Sequence, residues 1–318
     1  MNWSALFISS GVLLGIALGA NDASNVFGTA VGTRVIKFRT AAIICAVFVI
    51  IGAVVDGRRG IGKLGEYAAA NNINTGLAAF LVILSAAVTL FTFTALKLPV
   101  STSQCVVGAI IGWGLSSGNA DFSKTMDFVA AWVITPVGAM IICFALCKIY
   151  SRFIERRISA LEKLDVVIKY GYIAFGALAA YSLGANNVAN ATGVFLHVGG
   201  VVDSAFTAAL IGGLAIAIGV VAFSKPLMML IGEGLTPLTN ITGLIVVVST
   251  TIIVYIFALT GIPVSTSQAV IGAVFAAGLT KGVRTVKYGA FLRVAVAWFA
   301  TPVIPALLSF ICGKIFAS

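Results

Sequence analysis

The chain has 318 residues, of which 60% are hydrophobic and 9% charged, with a formal net charge of +10. About a quarter of the residues of a soluble domain carry charge, so this composition excludes one and defines a polytopic protein of the lipid bilayer. The basic excess has an explanation in membrane orientation, given below, and calls for no nucleic-acid partner.

Apolar segments are read at 3–31, 40–55, 75–96, 100–116 and 128–147, then at 170–198, 203–223, 238–260, 264–280 and 288–316. Most are long enough to cross a bilayer as helices, five in each half. The first has no basic residue ahead of it and ends without a small-residue cleavage site, so it is expected to remain as a span. It carries Gly19-Ala20-Asn21-Asp22-Ala23-Ser24-Asn25, a polar phrase whose place in lipid is costly and marks a site that handles a solute or ion. The third segment is followed by Lys97 and leads into Pro99-Val100-Ser101-Thr102-Ser103-Gln104. The apolar arm after it, Ser103 to Leu115, is 13 residues, about 20 Å of helix against a hydrocarbon core of about 30 Å. This arm is too short to span, so the phrase is expected at the tip of a re-entrant helical hairpin. The fifth segment contains Trp132-Val133-Ile134-Thr135-Pro136.

Residues 148–169 are rich in Lys, Arg and Glu, with Ile154, Ile158, Leu161 and Leu164 at helical spacing, and read as a cytoplasmic amphipathic connector. The second half then repeats the first: Gly184-Ala185-Asn186-Asn187-Val188-Ala189-Asn190, Pro263-Val264-Ser265-Thr266-Ser267-Gln268 and Trp298-Phe299-Ala300-Thr301-Pro302. Asn21 to Asn186 and Asn25 to Asn190 are each separated by 165 positions, Pro99 to Pro263 by 164, and Trp132 to Trp298 by 166. The expected organisation is a first transmembrane repeat over 1–147, the connector over 148–169 and a second repeat over 170–318.

Five segments per half is an odd number, so the second repeat enters the membrane from the opposite side. The fold expected is all-α, with two inverted-topology repeats, a re-entrant hairpin in each, and tips that meet near the midplane, as in many secondary transporters. With both termini outside, 15 of the 20 Lys and Arg fall on the inner side and 5 on the outer, and the positive-inside rule selects that orientation in a cell membrane.

At each tip the Ser and Thr hydroxyls and the free N–H groups of the following helix form an oxyanion site, with helix capping as the alternative. Asp22 is an acid at the end of an apolar run with no basic neighbour in sequence, and a bound cation would offset its charge. Asn21, Asn25, Asn186, Asn187 and Asn190 add amide oxygens suited to Na⁺, while protonation of Asp22 suits H⁺ coupling; the alternative is a capping cluster with no ion. Lys97 either snorkels or lends charge to the anion. Glu66 and Glu233 read as exposed loop carboxylates, Thr89, Thr92, Thr250 and Thr251 as bonding back to helix carbonyls, and His197 as interfacial. No resident cofactor is expected, the five cysteines read as packed free thiols, and no phosphate-loop motif for ATP is present. A serine mechanism lacks a paired base, since His197 is the only histidine, so an enzyme is not expected.

On these residues the chain resembles the inorganic phosphate transporter family of cation-coupled permeases. Residues 19–32 are similar to the family signature, 184–194 to its second copy, and both Pro-Val-Ser-Thr-Ser-Gln tips fit. The resemblance implies symport of inorganic phosphate driven by Na⁺ or H⁺. It implies Na⁺ at Asp22, Asn25 and Asn190, and phosphate at Ser101, Thr102, Ser103, Ser265, Thr266 and Ser267; Gln104 and Gln268 complete the tips. It departs at Asn187, where the family often has Asp, which alters the number of cations. Some members carry sulfate, so a sulfate permease stays open beside a passive anion channel, and the sequence is compatible with a homo-oligomer.

Overall fold

A computed structural model describes residues 3–96, 100–154, 161–233, 238–281 and 288–316. Among these the chain forms twelve α-helices and no strand. They are α1 Trp3–Gly32, α2 Phe38–Val55, α3 Arg58–Ala70, α4 Gly76–Ala95, α5 Thr102–Ser116, α6 Thr125–Ile149, α7 Leu161–Thr192, α8 Ala205–Phe223, α9 Lys225–Glu233, α10 Asn240–Thr260, α11 Thr266–Lys281 and α12 Tyr288–Phe316. Eight of the described helices are long and apolar enough to cross a membrane, namely α1, α2, α4, α6, α7, α8, α10 and α12. The protein is therefore a multi-pass membrane protein. As the arm lengths implied, α5 and α11 are short, at 15 and 16 residues, or about 22–24 Å.

Two helices lie outside the predicted segments. α3 is amphipathic: Ile61, Leu64, Tyr67 and Ala68 are buried on one face, while Arg58, Arg59, Lys63 and Glu66 are exposed on the other. Its apolar residues recur at helical spacing but never form a long run, which hides it from a search for spans. Glu66 is accordingly on a helix rather than in a loop, 3.4 Å from Lys124 Nζ. α9 follows α8 after a single residue, so Glu233 also ends a helix. The segment expected at 170–198 begins earlier, at Leu161, and gives way to a 3₁₀ turn at Gly193–Phe195. Lys97, Pro99 and Ile158 lie outside the described residues, as do the side chains of Ile154, Leu161 and Glu233, so the connector's apolar stripe is not described.

The halves pack by exchanging partners. α1 lies on α8 as α7 lies on α2, and α5 lies on α12 as α11 lies on α6. The closest approaches obey the same exchange. A Cβ on Gly19 would collide with the Ile216 carbonyl oxygen, and one on Gly184 with that of Val49; Gly219 meets Ile16, and Gly52 meets Tyr181, in the same way. Small residues let membrane helices pack backbone to backbone where lipid offers no hydrophobic drive for association. Repeat-related glycines thus place α1 and α7, the helices carrying the two polar phrases, against the opposite half.

Helix starts repeat as well. Thr75 and Thr239 cap α4 and α10 by accepting from Ala78 N and Thr242 N, and Ser101 and Ser265 cap α5 and α11. Each cap satisfies an N–H left free by the first helical turn.

Candidate functional site

Both polar phrases lie inside continuous helices, within α1 and α7, so their Asn and Asp side chains cap nothing. A spacing of three or four residues puts Asn21, Asp22 and Asn25 on neighbouring positions of one helix face, and Asn186, Asn187 and Asn190 on the same face of α7. All except Asn25 are buried, with Asp22 only 3% exposed, and Asn25 is half-buried.

The first Asn of each phrase holds the approach to the tip of its own half. Asn21 Nδ2 donates to Thr94 Oγ1 at 3.0 Å, near the end of α4. Asn186 grips the chain entering the second tip, donating to the Ile262 carbonyl at 3.3 Å and accepting from Val264 N at 3.0 Å. Just before that grip, Gly261 ends α10 in the left-handed region at φ 75°, where a side chain would also press on the Arg59 backbone.

The last Asn of the first phrase reaches across to the other half. Asn25 Nδ2 lies 3.3 Å from Asp22 Oδ1, 2.9 Å from Ser267 Oγ and 3.4 Å from Thr266 Oγ1. One amide therefore joins the buried carboxylate to the tip of α11. In the second phrase Asn190 Nδ2 donates to Asn187 Oδ1 at 3.1 Å, the counterpart of the bond from Asn25 to Asp22. α7 touches α5 as α1 touches α11. The first phrase is thus bonded to the tip of the opposite half, and among the described residues no hydrogen bond joins one tip to the other.

At the tips, Ser101 accepts from Gln104 N at 3.3 Å and shares a hydrogen bond of 3.1 Å with Ser103; Ser265 accepts from Gln268 N at 3.2 Å. The capping expected of these serines is real. It does not use up the tips, because Thr102 Oγ1, Gln104 Oε1 and Gln268 Oε1 are buried without a protein partner, as are Asn187 Nδ2 and Asn190 Oδ1. A buried polar atom left unpaired costs about 1–3 kcal/mol, and five such atoms on the second phrase and the two tips mark a candidate site for polar ligands. Four of the five open atoms are carbonyl or hydroxyl oxygens, which suit a hard cation, while the Thr102 hydroxyl and the Asn187 amide can also donate to an anion. Among the described residues no three His, Cys, Asp or Glu side chains group in a way that would hold a transition metal.

A cavity of about 10 Å³ adjoins the second tip, lined by Asn25, Ser182, Thr250, Thr251 and Thr266 among others. That is room for about one water and not for a tetrahedral oxyanion. Thr250 and Thr251 bond back to Val246 and Val247 carbonyls at 2.9 and 2.7 Å, and Thr89 and Thr92 to those of Ser85 and Val88, each at 2.8 Å, as expected of hydroxyls in apolar helices. Thr94 and Ser182 were not singled out from sequence. Nor was Asp56, whose Oδ2 accepts from Tyr181 at 2.6 Å and Tyr255 at 3.1 Å and ties α2, α7 and α10 together. Nothing in the sequence pairs these three, which stand 125 and 199 positions apart. His197 is exposed near α3, consistent with an edge position.

Helices that cross the membrane, paired short helices with hydroxyl-rich tips, and a buried carboxylate joined to one of them define a carrier of small ions rather than an enzyme. The chain belongs to the Phosphate transporter family, whose sequence profile matches residues 18–309. It is similar to a protein of Methanocaldococcus jannaschii named as a presumed phosphate permease, 27% identical over 93% of this chain and 92% of the other. It is also similar to the sulfate permease CysP of Bacillus subtilis, 28% identical over 94% of this chain and 84% of the other. Among solved structures, a sodium-dependent phosphate transporter superposes with a TM-score of 0.89 at 23% identity, covering 100% of this chain and 99% of that one, which establishes the shared fold.

Proposed function

We propose that this transporter is a symporter that imports inorganic phosphate across the cell membrane, driven by a Na⁺ gradient, by alternating access between two inverted repeats. The cation sits at Asp22 with the amide oxygens of Asn25 and Asn190. The oxyanion is received by Ser101, Thr102, Ser103 and Gln104 of one tip and Ser265, Thr266, Ser267 and Gln268 of the other. Asn21 and Asn186 position the approaches to those tips. The repeats are 1–147 and 170–318, joined by the 148–169 connector on the inner side, with both termini outside.

The observation that carries this reading is the Asn25 amide. By bonding Asp22 and the Ser267 hydroxyl together, it makes the cation anchor and the oxyanion tip one hydrogen-bonded unit. A cation at Asp22 then lowers the repulsion an arriving anion meets from the carboxylate, and the effect is reciprocal, as binding linkage requires. A passive anion channel has no use for a buried carboxylate at its selectivity site. The tip residues are buried, so an anion reaches them only through movement around them, which fits alternating access. The exchanged helix pairs supply the symmetry that such a mechanism uses.

The similarity to the Bacillus subtilis sulfate permease favours a second reading, sulfate symport at the same tips. Labelled phosphate uptake into proteoliposomes, under separate Na⁺ and H⁺ gradients and with sulfate as competitor, tests both. Uphill phosphate accumulation that requires Na⁺ is expected. Downhill flux alone would overturn symport, dependence on the H⁺ gradient alone would reassign the coupling ion, and strong sulfate competition would reassign the substrate.

A further inference from the structure

The two phrases are not chemically equivalent. In the first, Asn25 Nδ2 donates to Asp22 Oδ1, and the carboxylate's negative charge calls for a cation. In the second, the same bond is made between Asn190 and Asn187, and what remains is an amide N–H₂ group where the first phrase has an anionic oxygen. That Asn187 Nδ2 is without a protein partner on a residue only 1% exposed. Turning both amides over would exchange the labels, yet one donor and one carbonyl oxygen would still be left open. α7 touches α5, whose N-terminal Thr102 hydroxyl is likewise unpartnered. Thr102 can donate to an acceptor, whereas an amide N–H₂ repels a cation.

We infer that Asn187 serves the second phrase as a hydrogen-bond donor to the transported oxyanion, so that this half holds no cation of its own and the carrier couples to one cation fewer than a chain with Asp in both phrases would. The inference rests on the symport reading above. Its physical basis is charge balance at a closed site: a buried ionised carboxylate needs a compensating cation or a proton, and an amide needs neither. The donor instead offsets charge on the anion directly, as an extra neutral contact.

The test uses the full-length protein in proteoliposomes, with labelled phosphate and Na⁺ as the ion. The phosphate gradient that just stops net flux at a set Na⁺ gradient gives the number of cations per phosphate. In N187D that number is expected to rise by about one. In N187A it is expected to stay as in the unsubstituted protein, while KM for phosphate rises roughly tenfold or more, the loss of a hydrogen bond to a charged group. An active N187D with unchanged stoichiometry overturns the inference. So does an N187A whose Na⁺ dependence shifts while its phosphate KM does not. If N187D fails to fold, N187A and N187S decide by the same split between phosphate KM and Na⁺ dependence. Absence of gradient-driven uptake in the unsubstituted protein would instead defeat the symport reading, and this inference with it; the two failures are therefore distinguishable.

Discussion

Replacing Asp22 with asparagine removes one charge and almost no volume, which makes it the sharpest probe of the coupling site. Asp22 is 3% exposed, and its Oδ1 accepts from Asn25 Nδ2 at 3.3 Å, a bond an amide oxygen can also accept. The packing around α1 should therefore survive. What is lost is attraction for the cation. At a separation of about 4 Å and an effective dielectric of about 20, a carboxylate and a monovalent cation attract by about 4 kcal/mol. At about 1.4 kcal/mol per decade this is roughly a thousandfold in cation affinity. Burial of the uncompensated anion itself acts in the other direction, on the stability of the cation-free protein, so D22N should be no less stable than the parent without Na⁺. Two measurements follow. Proteoliposomes containing D22N should lose uphill phosphate accumulation while the protein elutes as a single folded species. Added Na⁺ should raise the melting temperature of the parent but not of D22N, because only a ligand that binds the native state stabilises it. Retained concentrative uptake, or a retained Na⁺-dependent melting shift, would refute the assignment of the cation to Asp22.

Three further outcomes are expected. N25A frees the Thr266 and Ser267 hydroxyls and the Asp22 oxygen from their shared donor, so it should cost about 1–3 kcal/mol in thermal unfolding and raise KM for phosphate and Na⁺ together; a change in one KM alone would separate the two sites. G19V drives a side chain into the Ile216 carbonyl at the crossing of α1 and α8, and this backbone clash should destabilise by about 1–3 kcal/mol or more, read as loss of monodisperse protein in detergent. The Lys124–Glu66 pair is exposed at 46% and 61%, so a double-mutant cycle in thermal unfolding should give a coupling below about 1 kcal/mol.

Much of the architecture is legible in the sequence because it is written in runs and repeats. Continuous apolar stretches locate the spanning helices, the 13-residue arms anticipate the short α5 and α11, and three motifs at nearly one offset announce the repeat. The misses have physical causes. α3 buries Ile61, Leu64 and Tyr67 on one stripe while its other face carries charge, so its average character is that of a loop. The Asn-rich phrases resemble helix caps when read locally, since Asn and Asp bond readily to nearby backbone. In the folded chain their side chains find partners on other elements instead, and the helix runs through them.

The pairing of phrase with tip was the least legible step, and it bears most directly on how coupling is read. A repeat offers no hint of which tip a given phrase will bond. The structure joins Asn25 to Thr266 and Ser267, 241 and 242 positions away, and brings α7 to α5 in the reciprocal sense. Such a swap cannot be deduced from spacing, because it depends on how α1 and α7 cross, and that crossing is set by backbone contact at Gly19, Gly184 and their partners. It also has a consequence for mechanism. On the symport reading proposed above, the cation anchor of one half grips the tip of the other, so neither half would complete its site alone and relative motion of the halves would open both ligand positions together. On that reading, tight coupling of ion to anion would follow from the topology, with the carboxylate of Asp22 carrying the charge in the pair that Asn25 joins.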